Sequence, residues 1–205
     1  GAITNVKLQY STDSGTTWPD PGKVITASTA AALLSYTWTI PDDISNTVRV
    51  RITDTGDTSV FDDSNANLSI KGSVTVTAPN GSEVWIVNDV QNITWTRTGS
   101  FANVKLEYSK NGFADELQTF TIIASTAADP LPTDNAGSYA WTIPDAISST
   151  VKVRISNTAD ATVLDASNAN FAIKGSLTLT APNGGETWVV GASQPVTWTR
   201  VGSIA

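Results

Sequence analysis

The segment Lys71-Gly72-Ser73-Val74-Thr75-Val76-Thr77-Ala78-Pro79-Asn80-Gly81 returns, with two conservative changes, as Lys174-Gly175-Ser176-Leu177-Thr178-Leu179-Thr180-Ala181-Pro182-Asn183-Gly184, an offset of 103. Trp38-Thr39-Ile40-Pro41-Asp42 returns as Trp141-Thr142-Ile143-Pro144-Asp145 at the same offset. Asn5-Val6-Lys7-Leu8 matches Asn103-Val104-Lys105-Leu106 at an offset of 98, so the second copy gains five residues between these landmarks, as a surface loop readily does. A period near 100 residues makes the chain a string of small modules, each needing a core of its own.

The phase of the repeat predicts three pieces. The chain opens at Gly1-Ala2-Ile3-Thr4 and closes at Gly202-Ser203-Ile204-Ala205, both equivalent to Gly99-Ser100-Phe101-Ala102. Residues 1–72 read as a module lacking its first strands, 73–175 as a complete module, and 176–205 as the first strands of a further one. Complementary ends fit either a window on a tandem array or a subunit whose ends complement a neighbour.

Within 73–175 the apolar residues recur mostly every second position, the signature of strands. Val74/Val76, Val84 to Val87, Ile93 to Trp95, Val104 to Tyr108, Thr119 to Ile123, Tyr139 to Ile143, Val151 to Ile155 and Asn170 to Ile173 are the expected strands. Thr and Ser together fill 51 of the 205 positions, which favours strands and turns over helices. Strands this short, separated by Pro, Gly, Asn and Asp turns, predict an all-β chain of tandem immunoglobulin-like β-sandwiches. Without cysteine to bridge the sheets, tryptophan must carry much of the core. Trp38/Trp141, Trp85/Trp188 and Trp95/Trp198 sit at equivalent positions of the repeat and are expected to be buried.

Composition narrows the function. With no His and no Cys, the chain lacks the common zinc ligands, Ser-His-Asp triads, thiol nucleophiles and disulfides, and no cofactor is expected. A net charge of -7 argues against nucleic-acid partners. The longest apolar run, about Ala30 to Leu34, is too short for membrane insertion.

Several segments carry a resemblance. Ala181-Pro182-Asn183-Gly184-Gly185-Glu186-Thr187-Trp188 followed by Val196-Thr197-Trp198-Thr199, the Lys105 to Ser109 strand, the Trp-Thr-Ile-Pro box, the Val48 to Ile52 strand and the Asp165 to Phe171 ending together resemble the KNH-like Ser/Thr-rich Ig-like module. The resemblance spans essentially the whole chain. It implies an extracellular or cell-surface β-sandwich and no catalytic residue.

Ser11-Thr12-Asp13-Ser14-Gly15-Thr16-Thr17-Trp18 spells an Asp-box-like hairpin, whose Asp caps the turn while Gly takes positive φ. Its counterpart, Ser109 to Asp115, has lost the spelling. Trp18 has no tryptophan partner in the repeat and is the candidate for surface contact with glycans or a neighbour. Asp62, Asp63, Asn65 and Asn67 form a weak calcium candidate, since a hard cation takes six or more oxygens and the second copy offers fewer charges. Asx capping suffices for Asp42, Asp62, Asp145 and Asp165. Outward Lys105, Glu107, Lys152 and Arg154 are expected to pair across strands.

The expected function is non-enzymatic: a structural subunit or segment of an extracellular filament, stalk or sheath. Its partners are copies of itself or adjacent modules of the same chain. The alternatives are an adhesin or carbohydrate-binding module engaging cell-surface glycans, and a non-catalytic appendage of a large secreted enzyme.

Overall fold

The computed structural model describes residues 2–129 and 135–204; Gly1, 130–134 and Ala205 lie outside them. Two compact units divide at Gly72/Ser73.

The second unit holds the complete module. Its strands are β6 (Ser73–Ala78), β7 (Val84–Ile86), β8 (Val90–Thr98), β9 (Asn103–Ser109), β10 (Thr119–Ala127), β11 (Ala136–Thr142), β12 (Ser148–Asn157), β13 (Leu164–Ala166) and β14 (Phe171–Lys174). One sheet runs β11-β8-β6 and the other β10-β9-β12-β14-β7, with β13 also on β12. β7 pairs parallel to β14, Val84 opposite Ala172. Two such sheets face to face make an immunoglobulin-like sandwich.

Alternation builds the core. Along β6 the side chains of Val74 and Val76 are buried while Ser73, Thr75 and Thr77 face water, because successive strand residues point to opposite faces. Val104 and Leu106 of β9 and Val151, Val153 and Ile155 of β12 supply the opposing layer. Trp95 fills the centre, and its indole Nε1 donates to the Ala128 carbonyl at 2.8 Å, so the ring is buried without an orphaned donor. Trp85 packs on Phe171 with ring centroids 4.9 Å apart, and Tyr108 on Trp141 at 5.1 Å.

The first unit has one half of that sandwich. Its strands are β1 (Asn5–Ser11), β2 (Val24–Ala30), β3 (Ser45–Asp54), β4 (Phe61–Asp63) and β5 (Leu68–Ile70). They form a single sheet of order β2-β1-β3-β4, with β5 also on β3. By the repeat, β1, β2 and β3 correspond to β9, β10 and β12. Tyr10, Val48 and Ile70 are buried at one end of its inner face, with Ile25, Trp38 and Val50 packed against them. Residues 35–44, spelled almost as β11 is, form no strand. A strand needs a ladder partner, and nothing within residues 2–72 corresponds to β8.

The remaining strands, β15 (Ser176–Ala181) and β16 (Thr197–Val201), form a hairpin, Leu177 opposite Arg200 and Leu179 opposite Trp198. Trp188 and Trp198 of this segment are exposed, contrary to the expectation for all six repeated tryptophans. The physical reason is that a tryptophan is buried by the facing sheet, and this hairpin has none.

Candidate functional site

The features with most to do are where the hairpin joins the complete module and the two uncovered apolar faces. Only Gly175 separates β14 from β15. At the same end of the hairpin, just past β16, the Asp145 carboxylate accepts from the Ser203 amide at 2.9 and 3.0 Å and from the Ser203 hydroxyl at 2.5 Å. Those bonds hold the Asp145 carboxyl below the usual carboxylate range. Gly202 turns the chain there at φ +82 and lies so close to Val87 and Ile147 that a Cβ would stand 3.2 Å from each. Val201 packs onto the core of the complete module. Asp145 therefore joins a module to the segment that follows it, a role that capping of its own turn did not reveal. Replacing Asp145 by Ala is expected to leave the sandwich folded and to speed hydrogen exchange at the Ser203 amide about tenfold, the loss of one charge-assisted bond; unchanged exchange there contradicts this role.

The Asp-x-Ser-Asn ending also does more than cap. In the complete module the Asp165 carboxylate accepts from the Val76 amide at 2.8 Å. The Ser167 hydroxyl donates to the Pro79 carbonyl at 2.7 Å, and the Asn168 amide donates to the Asn80 side-chain oxygen at 2.7 Å. These groups hold the first strand and the turn after it. The sequence signal was the recurrence of Asp, Ser and Asn at Asp62, Ser64 and Asn65.

The calcium candidates are dispersed among other tasks. Asp63 receives a bidentate pair from Arg51, at 2.6 and 2.8 Å, which holds its carboxyl below the ordinary range. The Asn67 side chain accepts from Arg49 at 3.0 Å and donates to Ser14 at 3.0 Å. Asp62 and Asn65 are exposed. Among the described residues no three acidic groups gather as a metal site.

Trp18 is half-buried, with the Arg51 guanidinium 4.2 Å from its ring centroid and Phe61 on the other flank of that arginine at 4.3 Å. The preceding turn is organised by Ser11, whose hydroxyl accepts from the amides of Asp13 and Gly15 at 3.2 and 3.1 Å. Ser109 repeats this with the amides of Asn111 and Phe113, at 3.2 and 3.0 Å. Phe113 lies 4.6 Å from Arg154 as Trp18 does from Arg51. Thus the turn and its aromatic–arginine contact persist where the spelling is lost. Arg154 also binds the buried Glu107 across the strands at 3.0 Å, whereas Lys105 and Lys152 stand opposite Ser156 and Ser109.

Asp13 accepts from the Ser11 and Thr17 hydroxyls and the Thr17 amide, and its pKa is lowered to about 2 from 3.8. A depressed carboxyl stabilises the fold above its unfolded pKa, and that contribution is lost as pH falls through the folded value. The turn is therefore expected to hold its full strength above about pH 4 and to loosen toward pH 2. An NMR titration of the Asp13 carboxyl checks this; a midpoint at the unfolded value contradicts it.

No family model and no curated protein matches the chain. Among solved structures it is similar to fibronectin(III)-like modules of Clostridium thermocellum CbhA at 15% identity, covering 85% of this chain and 81% of that one, with a TM-score of 0.34. A chimeric titin Z1Z2 tandem carrying a GRGDS peptide from fibronectin aligns at 15% identity over 85% of this chain and 86% of that one, with a TM-score of 0.31. No described helix is long and apolar enough to cross a membrane.

Proposed function

We propose that this chain is a length of an extracellular filament, stalk or sheath, whose work is to maintain length and stiffness by joining Ig-like modules end to end. The observation that carries this reading is the joint after the complete module, where a one-residue linker and the Asp145–Ser203 bonds leave the next segment little freedom. A flexible linker of many residues yields beads on a string, whereas a joint this short restricts orientation and stiffens a tandem array. The KNH-like resemblance supports the extracellular setting. Lys105, paired with Glu107, carries its charge outward on β9, which suits a surface facing water because charge discourages indiscriminate sheet association.

Immunogold electron microscopy of the native source with antibodies to this chain tests the proposal. Label along surface filaments, spaced by one or two modules, is the expected result. Label confined to dispersed or intracellular material overturns it.

A further inference from the structure

We propose that the arm by which the chain enters the complete module and the arm by which it leaves form a clamp that bears tension along the chain. This deepens the filament reading above and rests on it for the source of the load.

The covalent chain enters the module at Ser73, on β6, and leaves it from Lys174, at the end of β14. β7, which follows β6, pairs parallel with β14, Val84 opposite Ala172 and Ile86 opposite Lys174. Tension carried by the chain therefore draws β7 back toward its own start and β14 forward past its own end. The two strands are pulled along their lengths in opposite senses. A ladder loaded this way must give up its bonds together, whereas a hairpin pulled open at its mouth loses them one at a time.

The bonds between the arms extend beyond this ladder. The Asp165 carboxylate holds the Val76 amide, the Ser167 hydroxyl the Pro79 carbonyl, and the Asn168 amide the Asn80 side chain. The Ala169 amide donates to the Asn80 carbonyl at 3.3 Å and the Ser82 amide to the Asn170 carbonyl at 3.3 Å. Further along, the Ala172 amide donates to the Glu83 carbonyl at 2.9 Å and the Val87 amide to the Lys174 carbonyl at 3.0 Å. These bonds run from Val76 to Val87 on one arm and from Asp165 to Lys174 on the other, in the same order along both, so the whole length is loaded as one parallel seam. Gly81, at φ +129, lets the arms meet: a Cβ there would stand 2.6 Å from the Ala169 Cβ. Glu83 fastens the turn between β6 and β7 by accepting from the amides of Asn80 and Gly81 at 2.8 and 2.7 Å. Trp85 on β7 packs on Phe171 of β14, both buried, which keeps water from competing for the bonds beside them. Asp165 and the Asn80 side chain are acceptors outside the apolar core, so the seam can be weakened without emptying the core.

Single-molecule stretching of the full-length chain tests the clamp. The chain has no cysteine, so Gly1→Cys and Ala205→Cys supply the only thiols as handles. Under constant tension the complete module is expected to open in one step that lengthens the chain by roughly 300 Å, the extended span of a module less its folded length. Forced opening follows the unfolding rate. Asp165→Ala, and separately Asn80→Ala, are expected to raise that rate under load about tenfold, and Asp165→Asn, which keeps an acceptor, to restore it. Ile155→Val, a core change of comparable equilibrium cost outside both arms, is expected to leave the loaded rate within about twofold. Circular dichroism checks that each variant keeps its strands. Opening in several small steps overturns the proposal, and so does equal acceleration by Ile155→Val and the two arm variants. One-step opening without labelled filaments in the source leaves the clamp standing and removes the filament function; labelled filaments whose modules open in small steps do the reverse.

Discussion

Replacing Trp95 by alanine is expected to destabilise the second unit by about 3–5 kcal/mol, whereas the same change at Trp198 costs the dispersed chain less than about 0.5 kcal/mol. The two residues occupy the same place in the repeat and differ in what covers them. Truncating Trp95 removes a ring packed between both sheets and leaves a cavity, together with an unused Ala128 carbonyl. Trp198 has no opposing sheet to lose. Urea denaturation followed by circular dichroism, with hydrogen exchange to localise the loss to β6–β12, measures the first effect. Equal costs at the two positions contradict the assignment of one complete and one open face.

The second large effect is at Gly137. An added Cβ would stand 2.1 Å from the Trp95 ring, nearer than any real contact, with a buried indole unable to move aside. Gly137→Ala is expected to cost about 3 kcal/mol, at the upper end of the range for overpacking. If the unfolding free energy from urea titration falls by less than a third of that, β11 does not lie against Trp95 as described.

The contrast between these positions shows what was legible in the sequence. The repeat and the strand periodicity of β6, β9 and β12 could be read from local pattern, because alternation records which face each side chain presents. Which faces are covered could not. Ser138 to Ile143 and Ser35 to Ile40 share Ser-Tyr-x-Trp-Thr-Ile, yet the first lies on a strand running to Thr142 and the second has no strand at all. The difference lies in β8, which β11 has beside it and which residues 35–40 lack among the described residues. Strand formation is a pairing property, and local spelling does not contain the partner.

The candidate site was legible in part. Asp62, Asp63, Asn65 and Asn67 stood out as an oxygen-rich cluster, but the duties of Asp63 and Asn67 follow from Arg51, Arg49 and Ser14, placed elsewhere in the chain. Trp18 stood out as unmatched because no tryptophan recurs at its place in the repeat. Phe113 fills the corresponding space over Arg154 from a different position in its turn, and geometry, not identity, reveals the correspondence. Asp145 looked like a cap; Ser203, fifty-eight positions on, makes it a joint.

If the Gly175 linker and the Asp145–Ser203 bonds fix the segment after the complete module, the β15–β16 hairpin must tumble with that module. Backbone amide NMR relaxation measures this most directly. Relaxation rates along Ser176–Ala181 and Thr197–Val201 equal to those of the complete module are expected; faster, independent motion of the hairpin contradicts the joint.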